Sequence, residues 1–331
     1  MKIAILYSHV ESKENGDDLD LIAEQDILQS VASMEILLKD MHFDVVKVRF
    51  SKNMYEDLRN IAPDFVINLC DSFEDSSKLE GTVPAVLELL KIPYSGGSLL
   101  PVSVCLDKAR AKELLLAHGL PTPRFQLIDN QDFELEIKLP VIVKPNFEDA
   151  SIGIRRGCVV FDMASLKERV KLVLETYNQP VIIEEFIEGR EFDVCLIGNN
   201  DPIVFPVSES VFKNYSKDEI KICDYESKWV EDDKHYNDIV SEYPAKISKE
   251  LERKLVDISK KAYKVVRMHG YARIELRVRD NEPYIIEVNQ NPDISVGYLF
   301  FKLAKYIGIE KEELITKLIN YGLERAGKKL I

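Results

Sequence analysis

The sequence has few of the features that mark secreted, zinc-binding or membrane proteins. Its cysteines are widely spaced and form no CxxC pair, which is not the pattern of a disulfide framework or a zinc site. No apolar run approaches the ~20 residues that cross a bilayer, and the apolar start at 1–7 is too short for a signal peptide. We therefore expect a cytoplasmic protein with no membrane partner. The five cysteines are Cys70, Cys105, Cys158, Cys195 and Cys223.

The sequence also has fewer basic than acidic residues. The 331 residues include 44 Lys and Arg against 57 Asp and Glu, so the net charge is −13. Because nucleic acids and anionic membranes attract basic patches, neither is expected as a partner. A hydrophobic content of 46% with 31% charged residues is typical of a globular enzyme, and the length suits two or three domains.

The glycine-rich nucleotide motifs are missing too, since neither GxxxxGK[ST] nor a GxGxxG after a strand is present. The first hundred residues instead alternate apolar strand and helix patterns, which predicts an α/β domain with a wound parallel sheet. The predicted strands are 2–7, 45–50, 64–69 and 92–94, and the predicted helices are 21–41 and 84–90.

The rest of the chain predicts two α+β lobes. A loop rich in Gly and Ser at 95–98 marks a boundary, and the segments after it have antiparallel character. We expect three domains, at 1–102, 103–181 and 182–331. The predicted helices are 102–118, 165–176 and 248–268, and the predicted strands are 141–144, 158–161 and 180–185. A polar excursion at 214–241 precedes the last long helix, and a helical region ends the chain.

The clearest motif is a hairpin at 270–289. Apolar and polar residues alternate on both sides of a turn at 280–283, as in strands with one buried face. With Asn281 at the centre of the turn, apolar residues meet in every rung. The predicted pairs are Ile274 with Val288, Leu276 with Ile286, and Val278 with Tyr284.

The same register places Glu275 opposite Glu287, and Arg273 opposite Asn289. Two like charges directly across a strand pair repel each other, so this arrangement favours a bound cation. Carboxylate and amide oxygens suit Mg²⁺ held together with substrate phosphates. The alternative interpretation is a polar face turned toward solvent.

Two further segments could bind a nucleotide. Lys144 ends a buried strand and precedes a turn of small residues at 146–153, whose backbone N–H groups could hold a phosphate beside the lysine. The strand at 182–185 runs into Gly189 with acids on both sides, which could offer backbone groups to an adenine and a carboxylate to a ribose. An ordinary surface loop and merely solvated acids remain the alternatives.

Together these segments resemble the ATP-grasp superfamily, and within it the D-alanine–D-alanine ligase-like carboxylate–amine ligases. The resemblance covers essentially the whole chain, with its motifs in the family's order. They are AEQD at 23–26, IPYSG at 92–96, LDK at 106–108, VKP at 143–145, EDASIG at 148–153, EEFIEGRE at 184–191, DYESKW at 224–229, ARIE at 272–275 and EVN at 287–289.

The resemblance implies an ATP site between the two α+β lobes. It assigns the nucleotide phosphates to Lys108 and Lys144, and the loop that closes over them to 148–153. The residues implied for this loop are Glu148, Ser151, Ile152 and Gly153. Those implied for the adenine slot are Glu184, Glu185, Phe186 and Ile187, with Glu191 at the ribose.

The resemblance also implies the remaining roles. Glu275, Glu287 and Asn289 would bind Mg²⁺, normally two ions, with Mn²⁺ as a substitute. The catalytic set would include Arg273 and Lys228, which steady the charge on the transferred phosphoryl group and on the tetrahedral intermediate. It would also include Glu24, at the amine of the first substrate. The implied partners are a small-molecule carboxylate and an amine, and a homodimer through the N-terminal domain is expected.

The family's reaction joins a carboxylate to an amine through an acyl phosphate made from ATP. A related enzyme with a thiol acceptor, a small-molecule kinase and a non-catalytic nucleotide-binding protein are the alternatives. The six residues of the phosphoryl-transfer set disfavour the last of these. They are Lys108, Lys144, Arg273, Glu275, Glu287 and Asn289.

Some segments depart from the family's pattern. The first strand–helix loop has SHVE at 8–11 where a Gly-Gly pair is usual, and CDSFEDSSKLEG at 70–81 replaces a glycine-rich segment. A metal ligand that is usually Asp is Glu275. The run that receives the second substrate's carboxylate, usually SPGMTS, is NPDISV at 291–296.

Asp293 in that run bears on the second substrate. It adds an anion near a pocket that receives an anion in the family, which disfavours a free carboxylate there. We therefore predict an acceptor amine that lacks a carboxylate or carries a positive charge. The alternative is that Asp293 and the acids at 71–80 only face solvent.

Overall fold

The computed structural model describes residues 1–9, 27–73 and 76–331. Their strands form three separate sheets, and none of the helices found in these residues is long and apolar enough to span a bilayer. The helices are α1 Ile27–Asp40, α2 Met54–Ile61, α3 Thr82–Leu90, α4 Leu99–Leu106, α5 Lys108–Ala117, α6 Met163–Tyr177, α7 Tyr225–Trp229, α8 Lys249–Val266, α9 Leu299–Tyr306 and α10 Lys311–Arg325. The strands are β1 Lys2–Tyr7, β2 Asp44–Arg49, β3 Phe65–Leu69, β4 Phe125–Ile128, β5 Val141–Pro145, β6 Val159–Val160, β7 Val181–Glu185, β8 Arg190–Gly198, β9 Ile203–Val204, β10 Ser208–Phe212, β11 Ile239–Glu242, β12 Gly270–Arg279 and β13 Glu282–Asn289.

The first sheet is parallel, with the order β2-β1-β3, which confirms the predicted wound sheet. Its central strand β1 is apolar and buried from Ile3 to Leu6, as expected of a parallel strand covered on both faces. The prediction of a strand at 92–94 is wrong. Of these three residues only Tyr94 pairs with the sheet, through an isolated parallel bridge to Val66.

The second sheet has the order β4-β7-β5-β6 and is antiparallel throughout, which confirms the antiparallel character predicted for this part of the chain. Helix α6 packs against it through Leu166, Val170 and Val173, which are buried at helical spacing. The helix begins after Asp162, whose side chain accepts a hydrogen bond from the N–H of Ser165. This sheet carries Lys144 and Glu184.

The third sheet follows the order β11-β10-β8-β12-β13, with β9 beside β8. Helix α8 covers one face, and the C-terminal helices α9 and α10 pack in one apolar core with both β8 and the N-terminal strands β1 and β3. The first and third sheets are therefore joined by shared packing. The predicted domain limits at 102 and 181 stay predictions, which the separation into three sheets supports.

The helix predicted at 102–118 is wrong as a single helix, because the chain breaks at Asp107. This residue is extended, with φ −83° and ψ 92°, and its side chain accepts a hydrogen bond from the N–H of Arg110. The side chain of Asn146 donates a second hydrogen bond to the same carboxylate, at 2.8 Å. A side chain that caps a new helix competes with continuation of the old one, and the break puts Lys108 at the start of α5.

The hairpin pairs as predicted at its far end and differently near its turn. Arg273 lies opposite Asn289, and Glu275 lies opposite Glu287, in the predicted register. Closer to the turn, the predicted pairs of Leu276 with Ile286 and of Val278 with Tyr284 are wrong. The observed pairs are Leu276 with Ile285, Arg277 with Tyr284, Val278 with Pro283 and Arg279 with Glu282.

Two local features explain the difference. The turn has only two residues, Asp280 and Asn281, both with positive φ, as in the tight turns that suit hairpins. One residue fewer in the turn is balanced by one extra residue at Ile286, where the register shifts in a β-bulge. The two changes cancel at Glu287, so the predicted pairing of the carboxylates is right.

Gly189 should tolerate no side chain. Its φ is +153°, and an added Cβ would come within 2.0 Å of the Val278 carbonyl oxygen, which belongs to backbone. We expect Gly189→Ala to lower the free energy of unfolding by about 2–3 kcal/mol, through strain and overpacking. Gly157 also has positive φ but open space around it, so Gly157→Ala should cost only about 1 kcal/mol. Urea unfolding followed by circular dichroism would compare them, and equal losses would contradict the close contact.

Candidate active site

Two carboxylates face each other across β12 and β13, and each lies against a cation. Glu275 Oε1 accepts hydrogen bonds from Arg273 Nη2 at 2.6 Å and from Nε at 3.0 Å. Glu287 Oε1 accepts one from Lys108 Nζ at 2.7 Å. The strand pair therefore brings together the acids expected at the metal, and helix α5, which packs in the core of the third sheet, supplies the lysine.

Lys108 favours the charged form of Glu287. Burial alone would raise the pKa of its carboxyl group, but the Lys108 ammonium and a hydrogen bond with Asp149 outweigh burial and lower it. Asp149 shares the same lysine, at 3.1 Å. Burial, with the neighbouring Glu287, raises the pKa of Asp149 although Lys108 opposes it.

The donor set fits a magnesium ion. Glu275, Glu287 and Asn289 project from adjacent strands and carry only hard oxygen donors. Asn289 Oδ1 already accepts a hydrogen bond from the N–H of Asn291, at 3.0 Å, which fixes the direction of the amide oxygen. Across the described ranges, no three His, Cys, Asp or Glu side chains form a metal cluster, but Mg²⁺ usually takes one or two carboxylates and completes its shell with phosphates and water.

A second charged group lies in the central sheet. Glu184 is 1% exposed, and its two carboxylate oxygens contact Lys144 Nζ at 2.8 Å and Lys112 Nζ at 3.1 Å. Burial would raise the pKa of Glu184, but the two ammonium groups lower it. Two buried cations around one carboxylate leave an excess positive charge for an anionic ligand such as a phosphate.

The loop at 148–153 lies over this region and is bonded on several sides. Glu148 accepts hydrogen bonds from Ser77 Oγ at 2.9 Å and from Gln179 Nε2 at 2.7 Å. Ser151 donates to the carbonyl of Cys223 at 2.9 Å, and Ile152 is buried. The loop thus contacts the N-terminal part of the chain, the central sheet and the segment before α7.

Tight backbone geometry shapes the same loop. Ala150 and Ser151 have positive φ, and Gly153, with φ +74°, has no room for a Cβ because Pro145 would lie 2.3 Å away. Arg169 Nη2 donates to the carbonyl of Gly153 at 2.6 Å. Two backbone N–H groups of these turns are already bonded, that of Ile152 to the carbonyl of Asp149 and that of Ile154 to the carbonyl of Ser151, both at 2.9 Å.

The connector after β7 holds the other predicted nucleotide residues. Glu185 pairs with Arg279 at 2.8 Å, and the Phe186 ring lies 5.1 Å from the Arg277 guanidinium. Arg277 also binds the two remaining predicted residues. It donates a hydrogen bond to the carbonyl of Ile187 at 2.9 Å and forms an ion pair with Glu191 at 3.0 Å. Arg277 and Arg279 of β12 therefore contact all four residues, three through their side chains and Ile187 through its carbonyl.

The two remaining predicted catalytic residues are less constrained. Lys228 is exposed on the short helix α7, whose neighbour Trp229 donates a hydrogen bond to the carbonyl of Ala150 in the phosphate loop, at 3.1 Å. Helix α7 and that loop are therefore in contact.

The other predicted catalytic residue, Glu24, lies outside the described residues.

Sequence reasoning missed several residues of the site. Asp193 lies opposite Glu275 on β8 and 3.7 Å from Arg273 Nε. Burial, offset in part by Arg273, raises its pKa to about 7. Period-two spacing from Glu191 could have found it, because both side chains share one face of β8. Helical spacing could have found Lys112, since it follows Lys108 by four residues and lies on the same side of the helix.

The residues predicted near the second substrate include one exposed and one buried carboxylate. Asp293 is exposed, and its Oδ1 accepts a hydrogen bond from the N–H of Ser295 at 2.7 Å. Glu80, by contrast, is buried beside Asn291, whose side chain donates to it at 3.3 Å. Burial, with the nearby carboxylates of Asp149 and Asp71, raises the pKa of Glu80 well above its usual range.

The polar excursion between β10 and β11 is organised by one histidine. His235 lies between Glu219 at 3.0 Å and Asp238 at 3.1 Å, and its ring stacks on Tyr215 with centroids 3.8 Å apart. Burial would lower the pKa of His235, but the two carboxylates raise it. Tyr215 near the start of the excursion and Asp238 near its end both contact His235, and α7 with Lys228 lies between them in sequence.

The fold and the paired lobes are those of ATP-grasp carboxylate–amine ligases. A family model described as D-ala D-ala ligase C-terminus matches residues 114–320. The D-alanine–D-alanine ligase of Carboxydothermus hydrogenoformans is 35% identical over 297 residues, 85% of this chain and 88% of that protein. That of Desulforamulus reducens is 28% identical over 312 residues, 89% and 92% of the two chains.

A solved structure has the same fold. The crystal structure of D-alanine–D-alanine ligase from Bacillus anthracis complexed with ATP superposes with a TM-score of 0.77 and 24% identity, covering 99% of this chain and 98% of that one. The chain belongs to the D-alanine–D-alanine ligase family.

Protonation of His235 should hold the excursion in place. Because the two carboxylates raise its pKa above the unfolded value of about 6.5, the stabilisation is complete below that value and is lost as the pH rises through the folded pKa. We expect amide exchange within 213–238, corrected for intrinsic rates, to be faster at pH 8 than at pH 6. His235→Gln should remove this pH dependence, whereas the change at exposed His118, His118→Gln, should keep it. The same dependence in His235→Gln would contradict the assignment.

Proposed function

We propose that the protein is an ATP- and Mg²⁺-dependent ligase that forms an amide bond between the carboxylate of an amino acid or small peptide and an amine. The observation that carries this proposal is the arrangement around β12 and β13. Two opposed carboxylates, Glu275 and Glu287, lie against Arg273 and Lys108, the latter from the start of helix α5. Family membership supports the same reaction class.

The chemistry requires activation of a carboxylate, which is a poor electrophile. An oxygen of the first substrate's carboxylate attacks the γ-phosphorus of ATP, the bond to ADP breaks, and an acyl phosphate forms. The amine nitrogen of the second substrate then attacks the acyl carbon, phosphate leaves with the C–O bonding electrons, and the nitrogen loses a proton. No covalent enzyme nucleophile is needed, so catalysis consists of positioning and charge stabilisation.

The residues divide this work by position. Lys108 and Lys144 bind the triphosphate, and the 148–153 loop excludes water above it. Arg273 is held by Glu275 at the strand pair, where it offsets negative charge on the transferred phosphoryl group and on the tetrahedral intermediate. Lys228 reaches the same region from α7.

Five further positions bind the rest of the nucleotide. The connector from Glu184 to Ile187 lines the adenine slot, and Glu191 accepts a hydrogen bond from the ribose. Glu275, Glu287 and Asn289 would hold Mg²⁺, as two ions. The metal, when bound, screens the repulsion between the substrate carboxylate and the triphosphate.

We further propose that the amine acceptor is not a simple α-amino acid. Asp293 is exposed in the run that receives the second substrate in the family, with one oxygen engaged by Ser295. A free carboxylate there would meet a like charge. An amine without a carboxylate, or one with a second cationic group, suits the site better.

Two predictions about the cellular context complete the proposal. We place the reaction in the cytoplasm, where ATP is available, with small-molecule substrates as its partners. A homodimer through the N-terminal domain is expected from the family resemblance.

Glu287→Gln tests the reaction and the metal role together. Removing the charge while keeping the shape should lower kcat by at least about a hundredfold, an effect of ~2.7 kcal/mol on the barrier, with ATP binding partly kept. Phosphate release, with mass spectrometry of the amide product, would measure it. Asp201→Asn, at an exposed acid, is the control. Unchanged turnover would remove the metal assignment, and a thioester or phosphate ester product would replace the proposed reaction.

Asp293→Asn tests the acceptor. The amide keeps an oxygen for the Ser295 N–H but removes the charge, so amino acids should gain on the corresponding decarboxylated amines by roughly tenfold in kcat/KM, the equivalent of about 1.4 kcal/mol. Competition assays with paired acceptors, compared with Asp201→Asn, would measure the ratio. If D-alanine is the preferred substrate on both sides of the unaltered enzyme, the specificity proposal is wrong.

A further inference from the structure

The β-bulge at Ile286 decides which face of β13 carries the metal-binding side chains. Pro283 and Ile285 are buried at the usual spacing of two, but the next buried residue is Val288, three positions on. Because side chains alternate in a strand, a one-residue shift turns every later side chain to the other face. A regular strand from the same turn would point Glu287 into the core and away from Glu275.

Strand β13 is the last strand of the third sheet, so within the described residues its outer edge faces no further strand, and the segment 112–122 binds three backbone groups there, at and beside the bulge. The N–H of Ile285 donates to the carbonyl of Pro121 at 2.9 Å. The carbonyl of Ile285 accepts a hydrogen bond from Thr122 Oγ1 at 2.7 Å. The carbonyl of Ile286 accepts one from Lys112 Nζ at 2.9 Å.

Lys112 is the charged member of this group. It is 2% exposed, and its three contacts are the carbonyl of Ile286, Thr122 Oγ1 at 3.1 Å and Glu184 Oε2 at 3.1 Å. An ammonium group has three donors, so these contacts use all of them. Its partners belong to β13, to the segment after α5 and to β7, and the side chain therefore ties the bulge to the adenine slot.

We propose that Lys112 and Thr122 are positioning residues that hold the Ile286 bulge and thereby keep Glu287 and Asn289 on the metal-binding face. The proposal rests on the metal role of Glu287. Lys112 acts through the backbone of β13 and touches no reacting atom. Thr122 supports the same bulge from the neighbouring carbonyl.

Lys112→Met tests the proposal, because methionine keeps the length and packing of the side chain but removes the donors. Direct Mn²⁺ binding in the presence of ADP, measured by electron paramagnetic resonance, should weaken by roughly 10- to 100-fold, as for other residues that orient metal ligands. Thr122→Val, which leaves no buried charge unpaired, should weaken it in the same direction but less. If Lys112→Met does not fold, Thr122→Val still decides the question.

Leu115→Ala is the matched control. Leu115 lies on the same helix, α5, and is 1% exposed in the apolar core, so its truncation destabilises the helix but removes no hydrogen bond to the backbone of the bulge. Below its melting temperature this variant should bind Mn²⁺ with unchanged Kd. A purely structural role for Lys112 predicts that behaviour for Lys112→Met and Thr122→Val as well, and that result would overturn the proposal.

Glu287→Gln in the same assay separates this inference from the proposed function. If Glu287→Gln weakens Mn²⁺ binding and the Lys112 and Thr122 variants do not, only the positioning role fails. If Glu287→Gln leaves Mn²⁺ binding unchanged, the metal assignment itself fails. Weakening in all three variants, with the Leu115→Ala control unchanged, supports both.

Discussion

The constraint on which the rest of the structure depends is the placement of two carboxylates side by side on one face of a strand pair. Glu275 and Glu287 would repel each other without nearby positive charge. Arg273 supplies it from the same strand, and Lys108 supplies it from the start of helix α5. The break at Asp107, which starts helix α5 at Lys108, is part of the same arrangement. Helix α5, which packs in the apolar core of the third sheet, must therefore be in place before the strand pair is electrostatically balanced.

Local chemistry explains how much of this could be predicted. Alternation along 270–289, with the turn centred on Asn281, predicts Glu275 opposite Glu287. The bulge at Ile286 could not be predicted, since the groups that bind it, Lys112 and Thr122, are more than 160 residues away in sequence. The predicted pairing leaves one residue too many in the turn and lacks the bulge, and these two errors of one residue cancel at the carboxylates.

The same distinction separates the other outcomes. The parallel and antiparallel sheets follow from the order of strand and helix patterns, and both were predicted correctly. The helix at 102–118 was not, because its break depends on Asn146, a residue 39 positions from Asp107 that bonds to its carboxylate. Asp193 is different, because period-two spacing already places it on the same face of β8 as Glu191. What the spacing does not reveal is the pairing of β8 with β12, which puts Asp193 opposite Glu275.

Helix α5 connects the proposed metal site with the proposed adenine slot. Lys108 and Lys112 are one turn apart on this helix. Lys108 contacts the proposed metal ligand Glu287, and Lys112 contacts Glu184 of the proposed adenine slot. Buried ion pairs of this kind contribute little net stability, because desolvation offsets the attraction between the charges. Burial lowers the pKa of Lys112 to about 8 despite the neighbouring Glu184, which shows that desolvation is the larger effect there. A lysine kept at such a position is better explained by the geometry that it imposes on β13 than by the stability that it adds.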